Sequence, residues 1–286
     1  MRSLRLLPLV FVLLATSWSL AAQSEVDSLA VKPKPSGELL AYRDSVKKAY
    51  DFLLYVPDTY SCDTTVAPLP LILFLHGGSL CGNDLKLVTQ YGCIDALRRG
   101  RDINALVLCP QCPSMGWNAE KLMAVVDWVR ERYRTDTDRL YVFGISMGGW
   151  GTFKFVSAYP DKVAAGIALC GGYQGDIQPL TEVPLWIVHG TSDTVTKISN
   201  STNIVAAMAK TGKSGRVVYS WLTGCDHSIL ARVFLLQEPY DWLFKHSLQD
   251  PRRPVNRDYK LEPKDLQAAY MRIDTSQAQR LPIQKP

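Results

Sequence analysis

The sequence predicts an α/β domain, a doubly wound, mostly parallel sheet with helices on both faces. Three observations carry this. Short runs rich in aliphatic and β-branched residues alternate with stretches of helical periodicity over about residues 48–248. Several runs, such as Leu71-Ile72-Leu73-Phe74-Leu75, are apolar on both faces instead of alternating, and such strands belong to parallel sheets covered on both sides. Parallel neighbours need crossover connections, which the intervening helical stretches supply.

Taken in order, strands are expected over Tyr50–Val56, Pro70–His76, Asn104–Cys109, Leu140–Ile145, Val163–Leu169, Val183–His189 and Arg216–Trp221. The clearest helix runs from about Asn118 to Arg134, where Leu122, Val125, Val126, Val129 and Tyr133 recur at helical spacing. Others are expected over Gly148–Ala158, Ser199–Lys210 and Pro239–Ser247, so the domain starts near Ala49 and ends near Leu248. Ahead of it, residues 23–47 are polar and contain Lys32-Pro33-Lys34-Pro35-Ser36-Gly37, which reads as a leader that does not pack into the domain. Behind it, Asp250-Pro251-Arg252-Arg253-Pro254 breaks any helix, and Glu262–Arg272 fits one or two more amphipathic turns in an otherwise polar tail, 249–286.

The N-terminus has a signal-peptide layout over residues 1–22. Arg2 and Arg5 precede an apolar run from Leu6 to Leu14, and Ser19-Leu20-Ala21-Ala22 leads into polar sequence, so cleavage is expected after Ala21 or Ala22. The apolar run is too short for a hydrocarbon core of about 30 Å, and no later stretch approaches about 18 unbroken apolar residues. The mature chain is therefore expected to be exported, periplasmic or secreted, without a membrane span.

With 286 residues, 47% hydrophobic and 21% charged, the chain can bury a full core, which excludes disorder throughout. The formal charge is +5, but Arg2 and Arg5 lie in the segment to be removed, and residues 250–286 carry eight Lys or Arg against five Asp or Glu. The body between is near neutral and has no basic stripe interleaved with aromatics, so no nucleic acid is expected as a partner. The sequence carries no signal for an oligomeric state. Seven cysteines (62, 81, 93, 109, 112, 170 and 225) could supply up to three bridges after export, with the connectivity open. Cys109-Pro110-Gln111-Cys112 has redox-motif spacing, but Pro110 and Pro113 flank a strand end and no second pair completes a zinc site, so it reads as a loop.

The chemistry sits where strand Leu140–Ile145 runs into Gly144-Ile145-Ser146-Met147-Gly148-Gly149, ahead of a helix-compatible stretch. Gly-x-Ser-x-Gly alone arises by accident in on the order of one chain in ten of this length. Its position between an apolar strand and a helix makes it a nucleophile elbow, with Ser146 projecting from a sharp turn crowded enough to demand Gly144 and Gly148. This is the signature of the α/β-hydrolase fold. A serine hydroxyl needs a histidine to take its proton and a carboxylate to orient that histidine. In this fold the order is serine, acid, histidine, which leaves His189, His227 and His246 of the four histidines. Asp193, in the turn after strand Val183–His189, is the expected acid, with His189 bonding within that loop. His227, just past the last strand, is the expected base, whereas His246 lies late in a helix expected to pack on the outside. Asp226 is a rival acid, but a sequence neighbour of His227 cannot easily aim its carboxylate at the ring. The oxyanion donors are expected to be the backbone N–H of Met147 and that of Gly78 in His76-Gly77-Gly78-Ser79, with Ser79 as the alternative and His76 bracing the loop.

These motifs resemble the carbohydrate esterase family 1 group: His76-Gly77-Gly78-Ser79 with Gly82-Asn83-Asp84, Pro110-Gln111-Cys112-Pro113, Gly144–Gly151, the His-Gly-x-x-Asp turn ending at Asp193, and Gly-x-x-His at 224–227. That group includes feruloyl esterases, acetyl-xylan esterases and polyhydroxybutyrate-depolymerase-like proteins, some labelled predicted peptidases. The likeness covers about residues 48–248. It implies an exported serine hydrolase that removes feruloyl or acetyl groups from plant cell-wall polysaccharide through an acyl-enzyme. The implied partner is a small ester or an acylated poly- or oligosaccharide, with no metal or organic cofactor. Cys225-Asp226 departs from the small residues of the family pattern before the histidine. A serine peptidase of the same fold and a catalytically inactive hydrolase-fold binding protein remain the alternative readings.

Overall fold

In the computed structural model, which describes residues 37–286, strand edges follow the hydrophobic runs to within a few residues. The expected signal peptide and most of the expected leader lie outside the described residues. The strands are β1 Glu38–Tyr42, β2 Phe52–Val56, β3 Leu69–Leu75, β4 Leu106–Pro110, β5 Thr135–Ile145, β6 Ala165–Leu169, β7 Leu185–Gly190, β8 Val217–Leu222 and β9 Ile283–Gln284. They form one sheet in the order β8-β7-β6-β5-β3-β4-β2-β1-β9. From β8 to β4 all neighbours are parallel; β2 runs antiparallel to both β4 and β1, and β9 joins β1 in parallel.

The helices are α1 Cys93–Arg99, α2 Ala119–Arg132, α3 Met147–Ala158, α4 Ser199–Lys210, α5 Glu238–Phe244 and α6 Pro263–Ala268. They cover the sheet on both sides. Ile72 and Phe74 of β3 point into one core with α1, α5 and α6, whereas Leu71, Leu73 and Leu75 point into the other with α2, α3 and α4. That two-sided burial is why β3 lacks alternation. The start of α2 is set by Asn118, whose side chain accepts the N–H of Lys121 at 2.8 Å. The connection leaving β3 runs through α1 on one face to β4, whereas the connection leaving β5 runs through α3 on the other face to β6, on the opposite side in the sheet order. A crevice opens there beyond the carboxyl ends of β3 and β5, where ligands gather in open α/β sheets.

The expected leader and tail boundaries differ from the structure. Residues 38–42 form β1, with Leu39 and Leu40 buried in the two cores. Leu261, Leu266, Ala269, Ile273 and Leu281, all within the expected tail, are buried in the core that holds α1 and α5. Arginine-to-carbonyl hydrogen bonds fix this segment. Arg253 reaches the carbonyls of Pro160, Val163 and Ala164, and Arg98 donates to Leu281 at 2.8 Å. The packed domain therefore includes both ends of the described chain. Among the described residues, no helix is long and apolar enough to cross a membrane.

Candidate active site

Ser146 sits between β5 and α3 with φ 57 and ψ −119. A non-glycine backbone there stores on the order of 1–3 kcal/mol of strain, which its neighbours hold in place. Its N–H donates to Leu169 at 2.9 Å and its carbonyl accepts from Trp150 at 3.1 Å. A Cβ on Gly148 would lie 1.8 Å from the Leu75 carbonyl oxygen, and one on Gly144 2.2 Å from that of Gly148. Close approach of backbones thus requires both glycines.

His227 follows β8, and its Nε2 lies 3.0 Å from Ser146 Oγ while its Nδ1 lies 2.7 Å from Asp193 Oδ2. Asp193, in the turn after β7, is buried, and its Oδ1 accepts the N–H groups of Val195 and Thr196 at 2.9 and 2.8 Å. The carboxylate assigns the proton to Nδ1, leaving Nε2 to accept from the serine hydroxyl. The structure thus brings Ser146, His227 and Asp193 together in one hydrogen-bonded row. The rival carboxylate of Asp226 turns away, accepting from Ser228 Oγ at 2.9 Å and from the N–H of Ile229 at 3.0 Å.

The other three histidines are buried and bonded elsewhere. His189 Nε2 lies 2.8 Å from the Thr196 carbonyl and its Nδ1 2.8 Å from Ser201 Oγ. Nε2 is also 3.4 Å from Asp193 Oδ2, but burial lowers the pKa of His189, so the ring is neutral and this is no ion pair. His76 donates from Nδ1 to the Gly77 carbonyl at 2.7 Å and accepts the Cys112 N–H at Nε2 at 3.0 Å; burial lowers its pKa to about 4. His246, expected late in a helix over Pro239–Ser247, lies two residues beyond the end of α5 at Phe244. It is buried and accepts the Asn256 N–H at 3.0 Å.

Met147 N–H is the first of α3 and has no intrahelical partner. Neither it nor the N–H of Gly78 makes a hydrogen bond among the described residues, and both residues border the space around Ser146. Gly77 N–H is occupied, donating to Tyr91 Oη at 2.9 Å. Burial pushes the Tyr91 phenol up, so it stays protonated. Tyr91 carries no sequence motif, and the sequence reading missed it.

Two cavities meet at Ser146. One, of about 510 Å³, is lined by Gly78, Tyr91, His227 and Ala231; the other, of about 460 Å³, by Trp117, Met147, Trp150 and Lys154. Met115 and Val195 border both and are 74% and 72% exposed. A larger cavity of about 550 Å³ beside β1 and β9 contains none of the three residues in the row. Cys170, Asp193 and His227 have ligand-type atoms within 4.8 Å of one another. They do not suit a metal: Asp193 and His227 are bonded to each other, and burial pushes the Cys170 thiol well up, keeping it protonated.

Comparison with known proteins bears on the fold and on the stretch around the elbow. The prolyl oligopeptidase family matches residues 115–175, the stretch that holds the elbow. A bifunctional acetylxylan esterase/xylanase of Neocallimastix patriciarum is 38% identical over 73 residues, 25% of this chain and 11% of that protein. A thermostable esterase superposes with TM-score 0.62 and 27% identity, over 74% of this chain and 63% of its own. A feruloyl esterase module from Clostridium thermocellum, solved with sinapinate, gives TM-score 0.54 at 15% identity, over 71% of this chain and 88% of its own, a likeness of fold alone. The chain has the expected α/β-hydrolase fold and resembles esterases of the carbohydrate esterase family 1 type.

Proposed function

We propose that this protein is an exported serine hydrolase that cleaves carboxylic esters, with feruloyl or acetyl groups on plant cell-wall polysaccharide as its substrates. The observation that carries the reading is the Ser146–His227–Asp193 row at 3.0 and 2.7 Å, beside two backbone N–H groups, of Met147 and Gly78, that make no hydrogen bond among the described residues. Ser146 Oγ attacks the ester carbonyl carbon while His227 Nε2 takes the hydroxyl proton. The carbonyl oxygen becomes an oxyanion held by the N–H groups of Met147 and Gly78. As the tetrahedral adduct collapses, the C–O bond to the alcohol breaks and His227 returns the proton to the departing oxygen. Water then repeats the sequence on the acyl-enzyme, releasing the acid and restoring Ser146. Asp193 holds the ring tautomer and stabilises the transient imidazolium. Residues 1–22 serve as the export signal.

The esterase names of the relatives support esters as the substrate class, and the cell-wall acyl groups come from the same likeness. The match of residues 115–175 to the prolyl oligopeptidase family favours a second reading, amide cleavage by the same row. The matched stretch carries the elbow, which both reactions use, so it discriminates weakly between them. The test is labelling by a fluorophosphonate probe, lost in Ser146→Ala, followed by turnover of methyl ferulate, an aryl acetate and a peptide. Peptide cleavage without ester turnover would replace the esterase reading, and an unlabelled wild-type protein would remove both.

A further inference from the structure

We infer that a second site, contiguous with the row, binds a neutral sugar unit on the alcohol side of the substrate; the inference rests on the ester-hydrolase reading. In ester cleavage the departing oxygen receives its proton from His227 Nε2. His227 and Ser228 line the cavity on the Tyr91 side and are absent from the lining on the Trp150 side. The alcohol therefore leaves past Tyr91, and the acyl group occupies the Trp150 side.

The Tyr91 cavity shares Tyr91, Ser228 and Ala231 with a further cavity of about 370 Å³, a volume within the roughly 300–1,000 Å³ of small-molecule sites. Its walls carry Asp95, Arg99, Asp226, Arg232 and Tyr270. Two carboxylates and two guanidiniums leave no net charge while presenting many acceptors and donors. A sugar hydroxyl both donates and accepts, so this lining matches a neutral polyol. A uronate or a phosphate would call for an excess of cations instead.

The groups are held before any ligand arrives. Arg99 pairs with Asp95 at 2.8 Å, and the Arg99 and Arg232 guanidiniums each lie 5.2 Å from the centre of the Tyr270 ring. Asp226 is fixed by Ser228 and Ile229. The departure from the family pattern before His227 thereby gains a role, as does the C-terminal segment that supplies Tyr270.

The experiment compares kcat/KM for an acylated neutral trisaccharide, the matching acylated monosaccharide, its uronic-acid counterpart and an aryl acetate. In the wild type the trisaccharide ester should exceed the monosaccharide ester by tenfold or more. Tyr270→Ala and Arg99→Met should remove at least fivefold of that advantage and leave the aryl acetate within twofold. Calorimetry with the deacylated trisaccharide on Ser146→Ala should show binding that Tyr270→Ala weakens at least fivefold. Equal rates on the two neutral sugar esters with no calorimetric binding would overturn the site, and preference for the uronate would overturn its neutral ligand. Binding without turnover of any ester would instead sink the ester-hydrolase reading and leave the site standing.

Discussion

Replacing Asp193 by Asn tests the row at the position where geometry makes the sharpest demand. Oδ1 accepts two backbone N–H groups, from Val195 and Thr196, while Oδ2 faces His227 Nδ1. An asparagine has one oxygen and one NH₂ group. If its oxygen keeps the two backbone donors, its NH₂ must face His227 Nδ1, which then becomes an acceptor. The ring proton moves to Nε2, pointing at Ser146 Oγ, and the histidine can no longer act as base. Flipping the amide would restore the tautomer but leave two N–H groups unmet, at about 1–3 kcal/mol each. The wrong tautomer is therefore favoured, and in the analogous triad this substitution lowers kcat about ten-thousand-fold, or about 5 kcal/mol of activation free energy. Steady-state hydrolysis of an aryl acetate, with folding checked by circular dichroism, measures the effect. A folded Asp193→Asn variant retaining more than about a hundredth of wild-type kcat would refute the assignment of Asp193 and the tautomer argument together.

Tyr91→Phe removes the acceptor of the Gly77 N–H; an unmet donor costs about 1–3 kcal/mol. We expect kcat to fall roughly 10–100-fold with KM within twofold, and an unchanged kcat would remove Tyr91 from the site. Deleting residues 249–286 exposes the pocket filled by Leu261, Leu266, Ile273 and Leu281. At about 1.5–3 kcal/mol for each buried side chain, the loss rivals the whole 5–15 kcal/mol of a typical domain, so the truncated chain should give no cooperative thermal transition. His76 has its pKa lowered to about 4 by burial, against an unfolded value of 6.5. The unfolded chain therefore binds the proton first, and His76 costs stability as pH falls from about 6.5 to 4, in total about 3 kcal/mol. Urea midpoints should drop over that window, and a His76→Gln variant should show a shallower drop.

The parallel strands could be read from the sequence because burial on both faces leaves continuous apolar runs, as in Leu71–Leu75. Where a strand takes its place from pairing, that signal is missing. The structure begins β5 at Thr135, ahead of the expected Leu140, through a polar Thr-Asp-Thr-Asp-Arg stretch paired at Leu69 with Thr135 and braced by the Arg139–Asp136 contact at 2.6 Å. The five residues of β1 and the seven of α1 are too short to show a period. In the C-terminal segment Leu266, Ala269 and Ile273 keep a helical spacing, but Leu261 and Leu281 stand outside it, and the arginine-to-carbonyl bonds that dock the segment leave no mark in composition.

The candidate site divides along the same line. Gly144, Ser146 and Gly148 sit close in sequence because the constraint on them is a backbone turn, and a backbone turn spans few residues. Asp193 and His227 follow from strand ends, which the fold orders along the sheet. Tyr91 meets Gly77 across fourteen residues of loop, and the cavity beyond it draws Arg99 from α1, Asp226 from the loop after β8 and Tyr270 from the C-terminal segment. Such groups meet only after the core has packed. Reaction chemistry is therefore concentrated in short motifs that a sequence displays, whereas selectivity for the alcohol resides in contacts that tertiary packing creates.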